Sequence, residues 1–473
     1  GASYQWMDLD GEGTYGIHAE AAAGWFYKRN LSANNSVPDN GQEHTLARFG
    51  PTEVVVSKPA TGLTSGAQFL DLAGDGQVDL VQMEGRVRGF YERTEDADWN
   101  PFRAFESWPN ISTRDPNLKF VDLTGDGHAD ILITEDNVLP WYQSLAEDGF
   151  GPAERVAQSF DEEIGPRLVF ANGEQSIYLA DLSGDGLSDL VRIRNGEVCY
   201  WPNLGYGRFG ARVTMDHAPW FDTPDQFDQR RIRLADTDGS GTTDILYLRR
   251  DGVQVYFNQS GNGWSKSVAL PQFPPIENMS AVQVVALLGN GTAGLVWSSP
   301  LPGNGRRPMR YRALMEDKPH LLIKVRNNLG AETKVRYAPS TKFYLKDKQA
   351  GKPWITRLPF PVHAVERVSV TDKWRGTTFT STYTYHHGYF DGVEREFRGF
   401  GRVEQIDTED YGQFSAVNIA SPYITQDHKL YQPPIKTFTW FHTGALINQG
   451  QVLSLYADEY FPNWFEALKP DTT

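Results

Sequence analysis

Cysteine is almost absent from this chain, whose 473 residues include only Cys199. A single thiol cannot form an internal disulfide, so packing and hydrogen bonds must hold the fold together. Cys199 lies in the apolar run EVCYW, where a buried and inert thiol is the usual outcome. The lack of disulfides in so long a chain favours folding in a reducing cytosol, with any export coming later.

Long apolar runs and an excess of basic residues are also lacking. No run of 18 apolar residues occurs, so the sequence predicts neither a membrane-spanning helix nor direct membrane insertion. Lys and Arg number 45 against 60 Asp and Glu, and the net charge of −15 argues against nucleic acid as a partner. HExxH, CxxC, GxSxG and phosphate-loop motifs are missing, and no set of catalytic residues stands out in the sequence.

Glycine and aromatic residues are abundant, with 45 Gly and 13% aromatics, which favours an all-β fold. One segment, YLADLSGDGLSDL at 178–190, recurs along the chain. It predicts a strand, a tight acidic turn and a second strand. Glycine permits the positive φ that such a turn needs, and Asp accepts hydrogen bonds from nearby backbone N–H groups.

The acidic turn occurs six times. The copies begin at Asp8, Asp71, Asp122, Asp181, Asp236 and Ala286, at steps of 63, 51, 59, 55 and 50 residues. Such a period with short strands indicates a propeller or a solenoid. Around the fourth copy, strands are predicted at 176–181, 188–194, 197–202 and 208–215. Four antiparallel strands per repeat are typical of a propeller blade, so we predict a six-bladed β-propeller over residues 1–319.

Carboxylates recur at positions 1, 5 and 9 of the second to fourth turns. They are Asp71, Asp75 and Asp79; Asp122, Asp126 and Asp130; and Asp181, Asp185 and Asp189. The fifth turn supplies Asp236, Asp238 and Asp244, with Ser240 at position 5. A nine-residue calcium loop uses oxygens at positions 1, 3, 5 and 9, and no copy here is complete. Two interpretations stay open: weak Ca²⁺ binding, with no cofactor required, or Asp side chains that staple the turn to its own backbone.

Aromatic residues stand out in two places. Pairs such as Tyr200-Trp201 mark the third strand of several repeats, where they either pack between blades or form a ligand cage. The long insertion at 216–229 contains Trp220, Phe221 and Phe227 among Asp and Pro. This insertion is a candidate docking surface, or it folds back on its own blade.

From residue 320 onward the pattern changes. The segment around Asn327-Asn328-Leu329-Gly330 predicts a hairpin, and 354–360, PVHAVERVSV and TTFTSTYTYHHGYF predict further strands with no helical period. We predict a second all-β region over 320–473, and expect it to be truncated because an open sheet end exposes unpaired edges.

His386 and His387 are neighbours on a strand and cannot share one ligand. EREFRGFGR favours an ion-pair ladder over a nucleic-acid patch.

The chain also resembles a known family. Its GDG turns are similar to the widespread FG-GAP/VCBS repeat. The later blocks KVRNNLGAETKVRYAPSTKFY, LPFPVHAVERV and YHHGYFDGVEREFRGFGRVE resemble the B component (TcB) of bacterial insecticidal Tc toxin complexes. The resemblance covers nearly the whole chain, and places the region after the propeller at the start of an RHS-type shell. The family's N-terminal segment and most of its RHS shell lie outside this sequence, whose first residues already fall within a repeat. We therefore expect a part of a longer protein.

The resemblance implies a role in toxin delivery. In the family, the propeller docks on the pentameric A component (TcA), which forms the translocation channel. The B and C components together enclose the toxic segment of the TccC-like C component, and the propeller gates its passage. The B component is not an enzyme, and the complex is made in the bacterial cytoplasm and released to the extracellular space. Two other functions stay open: a calcium-dependent adhesion propeller similar to integrin heads, and a carbohydrate-binding propeller.

Overall fold

A computed structural model describes residues 4–21, 24–39, 42–63, 66–94, 97–172, 176–270, 273–277, 279–315, 317–374, 377–408, 435–445, 454 and 459. The fold is all-β, as predicted, and consists of many small antiparallel sheets. The chain divides into two compact units. The first comprises Gly1–Asp10 and Thr14–His320, and the second comprises Gly11–Gly13 and Leu321–Thr473. In the part of the chain described here, no helix has the length and apolar character needed to cross a membrane.

The first unit contains six small sheets that follow one another along the chain. Sheet 1 consists of β1 (Tyr4–Met7), β2 (Gly16–Ala21), β3 (Gly24–Lys28) and β6 (Glu53–Val54), with a ribbon of β4 (Ser36–Asp39) and β5 (Gln42–Thr45) inserted before β6. Sheet 2 consists of β7 (Ala67–Leu70), β8 (Asp79–Gln82), β9 (Gly89–Tyr91) and β10 (Arg103–Ala104). Sheet 3 consists of β11 (Leu118–Val121), β12 (Asp130–Ile133), β13 (Val138–Ser144) and β14 (Phe150–Ala157).

The remaining three sheets repeat this plan. Sheet 4 consists of β15 (Ile177–Ala180), β16 (Asp189–Arg194), β17 (Glu197–Trp201) and β18 (Val213–Thr214). Sheet 5 consists of β19 (Ile232–Ala235), β20 (Asp244–Arg249), β21 (Gly252–Tyr256) and β22 (Val268–Leu270). Sheet 6 has three described strands, β23 (Ala281–Val285), β24 (Gly294–Ser298) and β25 (Met309–Ala313). Short 3₁₀ turns occur at Ser32–Asn34, Ala146–Asp148, Gln229–Arg231 and Pro302–Asn304.

The second strand of sheets 2 to 6 is covered on both faces over most of its length. In β16 the first five residues are all buried, although neighbouring side chains on a strand point to opposite faces. Apolar clusters on either side explain this burial. Trp141 and Trp201 pack between sheets 3 and 4, while Tyr200 and Tyr247 pack between sheets 4 and 5. The aromatic pair Tyr200-Trp201 is therefore packed in the inter-sheet core.

Sheet 6 also packs against sheet 1. Val285, Leu287 and Val296 form a cluster with Trp6 and Phe49. The Asn30 side-chain amide donates to the Leu287 carbonyl at 2.8 Å. A matching bond joins sheets 5 and 4, where Asn258 donates to the Leu182 carbonyl at 3.0 Å. Leu287 and Leu182 each occupy the second position of an acidic turn, so the last and first sheets meet through a contact that recurs elsewhere in the unit.

The second unit is built on one six-stranded antiparallel sheet. Its strands, in order, are β26 (Lys324–Arg326), β27 (Ala331–Pro339), β28 (His363–Asp372), β29 (Thr377–Asp391), β30 (Glu396–Thr408) and β31 (Ile435–Trp440). The predicted hairpin at 327–330 is present, because β26 pairs with β27 and the Asn327 side chain accepts bonds from the Leu329 and Ala331 N–H groups.

Two expectations for this region are wrong. Ser340–Gln349 forms α-helix α1, where the sequence pattern indicated only strands. Phe343 and Leu345 of α1 are buried, and Phe343 belongs to a cluster with Trp354 and Leu358. Residues 354–360 form no strand, because these side chains fill that cluster instead of pairing in the sheet. Packing, which no local pattern records, decides both segments.

Candidate functional site: the acidic turns and the aromatic insertion

The first Asp of the second, third and fourth turns binds the backbone of its own turn. In the fourth copy, the two Asp181 carboxylate oxygens accept bonds from the Gly184 N–H at 2.6 Å and the Gly186 N–H at 2.8 Å. Both glycines have positive φ, +82° and +89°, which a side chain would strain. Asp71 and Asp122 accept the same pair of bonds in their own turns. The backbone hydrogen bonds that the staple interpretation requires are therefore present.

The Asp at position 5 of the turn makes fewer hydrogen bonds to the backbone than the Asp at position 1. Asp75, Asp126 and Asp185 each accept one bond, from the N–H two residues further on, at 2.8, 2.9 and 2.9 Å. Asp185 is exposed. Each of these bonds uses one carboxylate oxygen and stays within the turn.

The ninth-position Asp has a role that the sequence did not reveal. Asp189 is fully buried, and accepts bonds from the N–H groups of Leu182 (3.0 Å), Ser183 (3.1 Å) and Asn203 (3.0 Å). Asp130 and Asp244 likewise accept from the N–H 14 residues later, Ser144 at 2.7 Å and Asn258 at 2.8 Å. This Asp joins the acidic turn to the end of the third strand inside the sheet. The constant 14-residue spacing is the only sequence signal that points to it.

Burial changes the acidity of these carboxyl groups. Loss of water raises the pKa of Asp79 to about 8 and that of Asp130 and Asp244 to about 6, and it also raises the pKa of Asp189. The backbone N–H donors act in the opposite direction, since they stabilise the carboxylate. The negative charges of the same turn add to the upward shift at Asp79 and Asp130. The ninth-position groups thus resist ionisation more than surface carboxylates do.

The fifth turn brings three carboxylates together. Among the residues that the structure describes, Asp236, Asp238 and Asp244 are the one acidic, His or Cys group whose ligand atoms all lie within 4.8 Å of one another. Asp236 and Asp238 both accept from the Ser240 N–H, at 3.1 and 3.0 Å. Such oxygens suit a hard cation. Calcium binding at the acidic turns, whether here or at the other predicted ligands, stays a prediction.

The first turn uses its acidic group differently. Asp10 accepts bonds from Arg29 at 2.6 Å and from Arg93 of sheet 2 at 2.7 Å. Burial by itself would raise the pKa of Asp10, but the two guanidinium groups lower it below its ordinary value. Asp10 occupies position 3 of the turn, where a calcium loop needs a ligand. Its carboxylate instead forms ion pairs with two arginines.

The aromatic insertion packs into the core between sheets 4 and 5, which corrects the docking prediction for Phe221. Phe221 is fully buried between Tyr247 and Tyr256, so it presents no surface to a partner. Phe227 stacks on Phe221 at 5.7 Å and is half-buried. Trp220 is 71% exposed and lies against Gly196, where an added Cβ would meet the indole at 2.7 Å. Of the three predicted docking residues, Trp220 is the one whose ring stays available to a partner.

The two histidines of the second unit have separate partners. His386 Nδ1 lies 2.6 Å from an Asp347 oxygen, and His387 Nε2 lies 3.0 Å from a Glu459 oxygen. Arg402 bridges Glu404 (3.1 Å) and Glu459 (3.0 Å). The histidines therefore belong to a buried charge network and share no ligand in it.

The ion-pair ladder is confirmed as well. Arg398 lies 3.1 Å from Glu396 on its own strand and 3.7 Å from Asp391 on the neighbouring strand. Arg398 is thus paired with carboxylates within the sheet, as alternating charges on a strand predict, whereas Arg395 lies over the Phe390 ring at 5.5 Å.

Comparison with protein families gives two matches. Residues 258–430 match the middle/N-terminal region of the insecticide toxin TcdB, and residues 122–192 match the FG-GAP-like repeat. No curated protein matches the chain.

Solved structures match over nearly the full length. The Tc holotoxin pore of Photorhabdus luminescens, which carries a TccC3 mutation, is 30% identical with a TM-score of 0.80, and the match covers 96% of this chain and 20% of that one. The TcdB2-TccC3 structure is 27% identical over 95% of this chain and 21% of that one, with a TM-score of 0.65. The TcdB2-TccC3-Cdc42 structure is 26% identical over 97% and 20%, with a TM-score of 0.66. The chain thus spans about a fifth of the length of the structures it matches.

These findings show FG-GAP-like repeats in a chain that is similar to components of Tc toxin complexes. The predicted resemblance is confirmed: this is a TcB-like chain, similar to the B component of the insecticidal Tc toxins.

Proposed function

We propose that the six sheets of the first unit are the blades of a six-bladed propeller with an axial channel. The observation that carries this proposal is the contact between sheets 6 and 1. The Asn30 bond to the Leu287 carbonyl repeats the Asn258 bond between sheets 5 and 4, and an apolar cluster accompanies it. If each sheet packs on the next and the last packs on the first, six blades surround a central axis.

The propeller docks on a pentameric A component and gates the passage of the C-component cargo out of a shell. The second unit forms the first part of that shell. This assignment rests on the similarity to the B component, whose matched structures are a Tc holotoxin and complexes with TccC3. The protein has no catalytic task in this role, and it is released to the extracellular space with its partners. The acidic surface and the exposed Trp220 are suited to docking.

Binding to an A-component pentamer tests the proposal. The full-length protein is mixed with the pentamer, and complex formation is followed by size-exclusion chromatography and by biolayer interferometry. We expect a stable complex that Trp220→Ala weakens and that Phe227→Leu, a conservative change inside the insertion, leaves intact. No association of the folded, wild-type protein with its cognate pentamer would refute the docking role.

A calcium-dependent adhesion propeller is the second candidate, and one observation favours it. The carboxylates of Asp236, Asp238 and Asp244 converge in the fifth turn. Adhesion would require the bound ion to stabilise the fold strongly, whereas the toxin role requires no ion. Calorimetry with Ca²⁺ and with EDTA separates the two functions.

A further inference from the structure

The six contacts between neighbouring sheets of the first unit are not equivalent. We name each contact a junction, by the numbers of its two sheets. At junctions 1/2 to 5/6 the chain runs directly from one sheet into the next, whereas junction 6/1 joins residues that are far apart in sequence. Its Asn30–Leu287 bond spans 257 positions. We infer, on the basis of the proposed propeller, that junction 6/1 is the seam at which the ring opens.

Strand pairing does not close this junction. Sheet 1 contains β1, β2, β3 and β6, and sheet 6 contains β23, β24 and β25, so no described strand of one sheet pairs in the other. The ribbon-bearing insertion of sheet 1 lies across the junction instead. Ala47 N–H donates to the Tyr311 hydroxyl at 3.1 Å, and Phe49 joins the apolar cluster. Side-chain contacts can separate without breaking either sheet, while a shared strand would have to unpair.

The apolar core at junction 6/1 is also small. Its cluster has three buried members, Val285, Leu287 and Val296, whereas the cluster at junction 4/5 has 13. Buried apolar area sets most of the free energy that holds two packed surfaces together. Junction 6/1 therefore costs less to separate than junction 4/5.

Polar bonds from the first strands differ from one junction to another. Three positions before the acidic turn, Tyr178 of sheet 4 donates to the Gln229 carbonyl at 3.0 Å, and Arg233 of sheet 5 donates to the Val282 carbonyl at 3.0 Å. The second bond reaches a strand of sheet 6, and the first reaches the 3₁₀ turn that leads into sheet 5. Gln283 is the equivalent residue of sheet 6, and its exposed side chain makes no hydrogen bond to the described residues. At junction 6/1 the first-strand bond comes from the other side instead, between the hydroxyls of Tyr4 in sheet 1 and Ser298 in sheet 6, at 2.9 Å.

The fold supplies a matched pair of variants. Asn30→Ala removes the amide bond of junction 6/1, and Asn258→Ala removes its counterpart at junction 4/5, where both asparagines are buried. Tyr311→Phe is a milder second variant that deletes only the hydroxyl bound to Ala47. Spin labels placed on exposed outer strands report each junction: Val54 with Arg312 across 6/1, and Thr214 with Val268 across 4/5. The native Cys199 is buried, which limits labelling to the introduced cysteines.

Pulsed electron paramagnetic resonance on the full-length protein, in urea below its global unfolding transition, tests the seam. We expect the 6/1 distance to gain a longer population, first in Asn30→Ala and then in Tyr311→Phe and the wild type, while the 4/5 distance stays unchanged in all of them. Asn258→Ala should leave the 6/1 distance at its wild-type value. Lengthening of the 4/5 distance first, or a simultaneous change of both distances at global unfolding, would overturn the inference.

The same labels distinguish this inference from the proposed function. With the A-component pentamer bound, a longer 6/1 distance supports the seam. If the pentamer binds and another junction widens, the seam is wrong and the docking role stands. Failure to bind counts against the docking role, and the urea experiment still decides the seam.

Discussion

Strands of the first unit are two to eight residues long, whereas β28, β30 and β29 of the second unit reach 10, 13 and 15 residues. The buried polar groups differ in the same way. In the first unit, buried Asp carboxylates bind backbone N–H groups close in sequence, as at Asp189. In the second unit, buried side chains pair with each other across remote segments, as in Asp347–His386 and Glu459–Arg402.

This difference shows two ways to stabilise a β structure. In short hairpins, a local motif supplies the hydrogen bonds of the buried polar groups. Apolar clusters between the sheets supply the packing that holds the hairpins together. Long strands carry charged side chains whose partners arrive from elsewhere in the chain. The first arrangement repeats and can be recognised in sequence, while the second is specific to one tertiary structure.

The largest expected effect concerns the inter-sheet core. Trp201→Ala should destabilise the first unit by about 3–5 kcal/mol, because it empties a fully buried site and removes the indole bond to the Glu162 carbonyl. Urea unfolding measures the change. Trp220→Ala, at a 71% exposed position of the same unit, is the control and should change stability by less than about 1 kcal/mol. Equal losses in both variants would mean that inter-sheet packing is not what holds the repeats.

The second prediction compares two positions of one acidic turn. Asp189→Ala should cost about 2–4 kcal/mol, since it leaves three buried backbone N–H groups without an acceptor. Asp185→Ala removes one bond at an exposed position and should cost under about 1 kcal/mol. The midpoints of chemical unfolding at neutral pH measure both. A larger loss at Asp185 would contradict the buried role assigned to the ninth position.

The third prediction is that pH acts oppositely on the two units. Burial raises the folded-state pKa of Asp79 to about 8, above its ordinary value of 3.8, so its contribution to stability is lost as pH rises from about 4 through 8. Glu404 is the reverse case. Burial would raise its pKa, but Lys436, His386 and Arg402 hold it below the ordinary value, so its contribution is lost as pH falls below about 4.5.

Stability measured from about pH 2 to 9 checks this opposite dependence. Asp79→Asn should flatten the decline on the alkaline side, and Glu404→Gln should flatten the decline on the acid side. The contrast between the units would be refuted if either variant changed the opposite limb of the profile.

The smallest expected effect is that of calcium. At millimolar Ca²⁺, the affinity range of the weakest protein sites, the melting temperature should rise by only a few degrees. Asp238→Asn should abolish the rise, and Asp126→Asn in the third turn should not, because the three carboxylates converge in the fifth turn. Differential scanning calorimetry with Ca²⁺ and EDTA measures the shift. A large stabilisation shared by all acidic turns would favour the adhesion function over toxin delivery.

Much of the first unit could be read from the sequence because its information is local. The repeated Gly-Asp-Gly turns and the strands around them predicted the sheets, and β16 and β17 begin within one residue of the predicted starts, 188 and 197. The fourth strand was overestimated: 208–215 was predicted, and β18 spans only Val213–Thr214. Outer strands have few partners, so their length depends on the neighbouring loop more than on their own residues.

The sequence by itself determined the all-β class, the six acidic turns, the hairpin at 327–330 and the resemblance to the B component. Each of these depends on residues close together in the chain. Only the tertiary structure decided that Phe221 is core while Trp220 is exposed, that Asp189 is buried, and that Ser340–Gln349 is helical. It also decided that sheet 6 meets sheet 1 through Asn30. These outcomes depend on which remote surfaces exclude water from each side chain, and periodicity along the chain carries no record of that.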